Sequence, residues 1–352
     1  MRFQPFGRRT LLKHLLISTA TASLAITLSN CTAQPKVGET LNSSPVASPA
    51  ASSAKSRVLR VGFITTDASK VPVSSEGWAQ DKGYLTEDIK ALGITEIKFI
   101  PFVGGPALNE SIAAGALDIG IYGDTPAIVG RAAGLKTKLI NQGRVGQDSW
   151  LLTAPSGVKS LEELKGQKVG VAKGTYMHRY LLGLLDRKEL TKDVKLVQIP
   201  VADAKSALER GDIAAYPFST GSGPLLATKG FSILDQAKNH EGLVGTSATA
   251  ATKDFLANNP EFPKVWNQIR QKALQEIKSK PDEFYQFAAK ASGDRYPLPV
   301  IQESYGVAFY PDQPFTPEGL KLLNSTKQFL AEQKLLKSEF EIKDWQVSDS
   351  KS

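Results

Sequence analysis

Three short turns carry the chemistry available to this chain: Phe102-Val-Gly-Gly-Pro106, Tyr122-Gly-Asp-Thr-Pro126 and Lys173-Gly-Thr-Tyr-Met-His178. Each follows a β-rich apolar run and opens a segment with helical spacing, so each reads as a strand-to-helix corner. Pro106 and Pro126 suit the first helical turn, where a missing N–H removes no hydrogen bond. A helix start leaves unpaired N–H donors and a partial positive charge, so several starts aimed at one point bind an anion without Lys or Arg. Taken singly, each corner reads better as an ordinary cap; their recurrence along the chain favours a shared site. Covalent and metal chemistry have little to work with. Cys31 is the single cysteine among 352 residues, and the three histidines, His14, His178 and His240, are far apart. No disulfide framework, CxxC centre, clustered imidazole site or GxSxG nucleophile elbow is present, so neither a metal nor another cofactor is expected.

The elements that must position these corners alternate. Val58–Ile64, Glu96–Phe102, Leu117–Tyr122, Lys136–Asn141 and Ser149–Thr153 read as strands, with helices over Glu76–Leu92, from Gly104 and over Ala127–Ala133. A second set follows: strands Lys168–Ala172, Val194–Ile199 and Ile213–Tyr216, with helices Ser160–Lys165, Tyr176–Lys188 and Ala202–Arg210. After an extended Gly242–Ala251, the chain reads helical over Lys253–Asn258, Phe262–Lys278, Pro281–Ser292, Pro299–Phe309 and Thr316–Gln333. This pattern predicts an α/β fold of two lobes with largely parallel sheets. Lobe 1 is discontinuous, 57–152 and 246–340, lobe 2 spans 153–245, and 341–352 is a C-terminal tail. Crossings near Ser149–Thr153 and Gly242–Ala251 would limit relative motion to opening and closing over a cleft.

The formal charge of +8 is partly an address. Residues 1–30 hold Arg2, Arg8, Arg9 and Lys13 and no acid, so without them 39 basic residues face 35 acidic ones and the excess is +4. Leu15–Leu28 is apolar but shorter than the roughly 20 residues that span a bilayer. A basic front followed by a short apolar run is a signal peptide, and Arg8-Arg-Thr-Leu-Leu-Lys13 resembles the twin-arginine pattern. Leu28-Ser-Asn-Cys31 resembles a lipobox, with Asn30 a departure from the usual Gly or Ala, and implies lipidation at Cys31. Residues 31–56, Ser/Ala/Pro-rich, then form a flexible tether. The scattered lysines of the body make no nucleic-acid surface.

Longer stretches make the chain recognisable. Gly105-Pro-Ala-Leu-Asn-Glu-Ser-Ile-Ala-Ala-Gly-Ala-Leu-Asp-Ile-Gly120, Gly123-Asp-Thr-Pro-Ala127, Leu161-Glu-Glu-Leu-Lys-Gly-Gln-Lys-Val-Gly170, Gly174-Thr-Tyr-Met-His-Arg-Tyr-Leu-Leu182, Ala202–Asp212 and Asp254–Glu261 resemble the substrate-binding proteins of ABC importers for nitrate, taurine and aliphatic sulfonates. The resemblance covers about Val58 to Lys334 and implies the type II periplasmic-binding fold, with the ligand cleft between two lobes. It implies a pocket drawing on Thr65, Thr66, Gly105, Pro106, Gly123, Asp124, Thr125, Gly174, Thr175, His178, Phe218, Ser219 and Thr220. The threonines would donate hydroxyl hydrogen bonds. His178 would donate to an anion or pack as an ordinary helical histidine, and Asp124 is either an N-cap or a charge that opposes an anion.

One stretch departs from the family pattern. Where sulfonate binders tend to carry Trp-Asp-Pro, this chain has Ala215-Tyr-Pro-Phe-Ser-Thr-Gly-Ser-Gly-Pro224, which makes the pocket wetter and less negative there. Phe218 and Tyr216 would cover an apolar tail or belong to the core. The resemblance implies a periplasmic, lipid-anchored, monomeric solute-binding protein that delivers a small organic anion, foremost a sulfonate or taurine-like solute, to ABC permease and ATPase subunits. Nitrate, a thiamine-precursor-like heterocycle and a sensory role are the alternatives. A desulfination enzyme resembling this family uses a Cys nucleophile, which the body lacks, so no catalytic residue is expected.

Overall fold

A computed structural model of the chain describes residues 57–65 and 69–347. The signal segment, Cys31 and the tether, Thr66 and the last five residues lie outside the described residues.

The chain begins with β1 (Arg57–Ile64), α1 (Ser75–Asp81), α2 (Tyr84–Ile89), β2 (Ile94–Phe102), α3 (Gly105–Ala113), β3 (Ile119–Gly123), α4 (Asp124–Ala132), β4 (Thr137–Asn141), β5 (Val145–Gln147) and β6 (Trp150–Thr153). It continues with β7 (Lys168–Val171), α5 (Tyr176–Arg187), β8 (Lys195–Gln198), α6 (Val201–Glu209), β9 (Tyr216–Phe218), α7 (Ser222–Thr228), β10 (Ser232–Gln236) and β11 (Gly245–Thr252). Six helices close it: α8 (Lys253–Ala257), α9 (Phe262–Ser279), α10 (Pro281–Ala291), α11 (Leu298–Tyr305), α12 (Pro317–Glu332) and α13 (Ile342–Trp345).

The first sheet runs β2-β1-β3-β11-β4, with β5 paired to the start of β11. Leu59, Val61 and Phe63 alternate along β1 and are all but fully buried, each removal from water being worth about 1.5–3 kcal/mol. Leu59 and Val61 join the inward stripe of α9, where Phe262, Trp266, Ile269, Ala273, Leu274 and Ile277 recur at helical spacing. The expected single helix Glu76–Leu92 is broken at Gly83, whose φ of +84° ends one helix and starts the next. Only glycine adopts that backbone at little cost.

The second sheet continues from β8 and β7, through a bridge of Val169 to Ala215, into β9, β6 and β10. Each sheet is largely parallel with one reversed strand, β11 in the first and β6 in the second. β11 runs antiparallel to both β3 and β4, and β6 runs antiparallel to β9 and β10. Periodicity marks strands but not their direction, and β11 is the return strand from the second lobe.

The lobe boundaries also shift. Trp150–Thr153 belongs to the second sheet, so the first crossing precedes residue 150 instead of following 152. The crossings are tied together: Asp148, nearly buried, accepts from the amides of Ser149 at 2.8 Å and Lys238 at 2.9 Å and from Gln236 Nε2 at 3.1 Å. A further tie lies outside both crossings. Leu225 of α7, in the second lobe, packs among Ala288 of α10, Val300 and Ile301 of α11, and Tyr296 of the link between them.

Of the expected C-terminal tail, residues 341–347 pack against the first sheet. Ile342 and Trp345 are buried, and Val347 N donates to Leu139 O at 2.9 Å, covering β4. Short segments with one or two large apolar residues carry no periodic signal, which is why pattern alone leaves them as tail.

Candidate functional site

The three glycine corners converge. A β-carbon added at Gly105 would stand 2.2 Å from Pro126 Cγ, so only glycine lets the start of α3 approach the start of α4 this closely. One added at Gly174 would lie 3.2 Å from Pro106 Cγ, and one at Gly123 3.7 Å from Tyr176 Cδ1. Gly174 and Tyr176 belong to the second lobe, Pro106 and Gly123 to the first. The amino ends of α3, α4 and α5, of nine, nine and twelve residues, therefore meet across the two sheets with the lobes in contact. Two open surface cavities, about 730 and 960 Å³, lie away from these corners. One flanks the second crossing beside Arg187 and Lys321, and the other lies at the start of β1 beside Arg57 and Arg60.

Several expected pocket residues are employed within their own lobe. Asp124 is fully buried. It accepts from Thr246 N at 2.9 Å, Thr326 Oγ1 at 3.2 Å and Thr125 Oγ1 at 3.1 Å, joining α4 to β11 and α12. It is neither the N-cap, which is Gly123, nor a charge facing a ligand. Its inward turn removes the opposition to an anion that its position suggested. Thr125 is buried with its hydroxyl proton on Asp124. Thr175 is the N-cap of α5: its hydroxyl accepts from His178 N and donates to Ala172 O at 2.7 Å, leaving no proton for a solute. Phe218 is core, its ring 4.8 Å from that of Tyr216, and both are buried. Spacing located the corner in each case; the turn of Asp124 depended on partners far along the chain, while Thr125 and Thr175 were taken up by neighbours within three residues.

The remaining expected residues stay near the corners. Gly105, Pro106, Gly123 and Gly174 form the convergence itself. Thr65 directly follows β1, with its amide on Phe102 O at 2.9 Å. Ser219 and Thr220 are half-buried, and Thr220 meets the Tyr176 side chain.

His178 folds back on its own helix, its Nδ1 accepting from Gly174 N at 3.4 Å, which places the ring proton on Nε2. Burial first, and the charge of Lys173 second, hold its pKa below the ordinary 6.5. An imidazole harder to protonate in the folded chain than in the unfolded one favours folding above pH 6.5, and that contribution is lost as pH falls below 6.5 toward the folded pKa. Stability should decline through that window, and His178→Gln should flatten the decline in melting temperature against pH. Equal slopes for both proteins would show that His178 is not the group responsible.

Sequence reasoning missed Tyr176 and Arg144. Tyr176 opens α5 with its ring against Gly123 and Gly245 and its hydroxyl 3.3 Å from Asp148 O. Burial pushes its pKa up to about 12, so it remains a neutral donor. Arg144 sits in the loop before β5, almost fully buried, its guanidinium 5.0 Å from the ring of Tyr305 and 5.7 Å from that of Tyr310. Its only available signal was an arginine beside Gly143 at a strand end. Among the described residues no group of three metal-ligating side chains comes together. Backbone amides, tyrosine hydroxyls and a guanidinium are hydrogen-bond donors.

Two α/β lobes joined by two crossings, with helix starts meeting between them, define the periplasmic-binding fold. Solved structures bear this out. The periplasmic sulfonate-binding protein SsuA from Methylobacillus flagellatus KT superposes with a TM-score of 0.67, covering 83% of this chain and 92% of that one at 21% identity. The desulfurization enzyme DSZB shares the fold too, with a TM-score of 0.64 over 83% of this chain and 97% of its own at 15% identity. The chain belongs to the family described as NMT1/THI5 like, whose model matches residues 78–284. A Bacillus subtilis (strain 168) protein named as an aliphatic sulfonates-binding protein is 34% identical over 141 residues, 39% of this chain and 42% of that relative's length.

Proposed function

We propose that the chain is an extracytoplasmic solute-binding protein that captures a small organic anion, foremost an aliphatic sulfonate or taurine-like solute, and passes it as a monomer to the permease and ATPase of an ABC importer. The observation that carries this reading is the meeting of three helix amino ends from both lobes, which concentrates N–H donors and partial positive charge at one point. The sulfonate-binding name of the Bacillus subtilis relative supports the solute class, and Asp124, turned away, adds no repulsion. The DSZB likeness extends to the fold, while this chain has no cysteine beyond Cys31, so binding without catalysis is the reading we adopt.

A thermal-shift screen over alkanesulfonates, taurine, nitrate and thiamine-precursor-like pyrimidines tests it. A ligand at 100 times its Kd should add about 2.7 kcal/mol of stability. Stabilisation by a sulfonate or taurine upholds the reading, stabilisation by nitrate or a pyrimidine alone redirects the solute class, and silence across the whole set counts against it. Membrane attachment through Cys31 belongs to the same proposal. Cys31→Ser should move the protein from the membrane to the soluble fraction, and unchanged membrane association would dispose of the lipid anchor.

A further inference from the structure

We infer that Arg144 is the charge partner of the bound anion and the residue that makes the site prefer a small oxyanion over a neutral solute of the same shape. The inference rests on the anion-binding reading above and assigns its positive charge to a side chain outside the three corners.

The guanidinium is undercompensated where it stands. Arg144 is 7% exposed. One terminal nitrogen donates to Ser304 O, while Nε is buried with no hydrogen-bond partner. Among the described residues no carboxylate lies within 4 Å of it, whereas Arg60 has Asp118 at 2.7 Å. The faces of Tyr305 and Tyr310 offset only part of the cost. A cation over an aromatic ring recovers about 0.5–2 kcal/mol, against a burial penalty of several kcal/mol for an ion. The other two buried arginines share the unpartnered Nε, but each has an acidic side chain or several carbonyls acting on its charge. Arg179 donates to the carbonyls of Gly242, Leu243 and Val244, and Arg270 has Glu76 and Asp312 in its field.

Position points the same way. Arg144 N donates to Ser247 Oγ at 2.7 Å, fixing the loop between β4 and β5 against the start of β11. Its charge reaches the hydroxyl of Tyr176, the second-lobe side chain packed on Gly123 and Gly245. Ser304, whose carbonyl takes the Arg144 donor, also accepts Gly221 N from the second lobe at 2.8 Å through its hydroxyl. Arg144 therefore stands where both lobes meet, with a planar fork of donors suited to two oxygens of one sulfonate, carboxylate or nitrate.

The test compares ethanesulfonate and nitrate with ethyl methyl sulfone, an uncharged analogue, by calorimetric titration. Wild type should bind the better oxyanion at least about 100-fold more tightly than the sulfone. Arg144→Gln should lose about 50-fold or more of the anion affinity and leave the sulfone affinity unchanged, collapsing that preference. Arg144→Lys, which keeps the charge and loses the fork, should fall between, about tenfold down, and serves as the test where the Gln variant does not fold. Anion affinity that survives either substitution overturns the inference and leaves the anion-binding reading standing. A wild-type protein that binds neither oxyanion overturns the inference, and failure across the full solute screen overturns the reading beneath it.

Discussion

Asp124→Ala is expected to cost about 3–5 kcal/mol of folding stability, the range found when one partner of a buried charged network is removed. The carboxylate is 0% exposed, and three separate elements depend on it. Thr246 N of β11 and Thr326 Oγ1 of α12 both donate to Oδ2, and Thr125 of α4 donates to Oδ1. Removing it leaves those donors buried and unpaired, at about 1–3 kcal/mol each before relaxation. It also takes away the nearest favourable charge for the buried Arg179. Asn at 124 keeps one acceptor oxygen and should cost about half as much. Denaturant unfolding gives the stability, and titration of the variant below its transition gives the affinity. A wholly structural role predicts affinity within about twofold of wild type. A stable variant with strongly altered anion affinity would return Asp124 to the pocket.

Ending the chain at Phe340 should be comparably damaging. Trp345 is fully buried, its indole N–H on Thr137 Oγ1 at 3.2 Å and its ring 5.8 Å edge-on from Phe340. Loss of a buried Trp alone costs about 3–5 kcal/mol, and Ile342 goes with it. The same segment shields a sheet edge. β4 is the last strand of the first sheet, and Gln346 pairs with Leu139 while Lys138 Nζ donates to the carbonyls of Asp344 and Gln346. An uncovered edge strand invites pairing with other chains, so the shortened protein should melt earlier and aggregate on heating. Trp345→Ala isolates the packing part from the edge part. If truncation left the melting temperature unchanged, the segment would be the free tail that its short, aperiodic sequence suggests.

Much of the fold was legible because local rules wrote it. The alternation of Leu59, Val61 and Phe63, the stripe of α9 and the Gly-Pro corners before α3 and α4 follow from strand and helix periods and from cap chemistry. Strands β5 and β10 and helix α7 escaped notice because Val-Gly-Gln, Ser-Ile-Leu-Asp-Gln and Ser-Gly-Pro-Leu-Leu-Ala-Thr carry neither a β-branched run nor a helical apolar stripe. The candidate site was legible as a set of corners and illegible as a set of side chains. Asp124, Thr125 and Thr175 have the types that bind an anion, yet each found its partner inside the protein. Those partners, Thr246 and Thr326, lie 122 and 202 residues from Asp124, and no spacing rule reaches so far.

Residue order alone determined where the backbone bends, which runs bury a face, and that three helix starts carry exposed donors, because each depends on neighbours within a few residues. Tertiary structure decided that Gly105 faces Pro126 and Gly174 faces Pro106, that β11 returns antiparallel, and that residues 342–347 close the edge of β4. It also decided that Arg144 is buried against the rings of Tyr305 and Tyr310. Each of these is a contact between segments distant along the chain, selected by packing and by the cost of leaving a buried polar group unpaired.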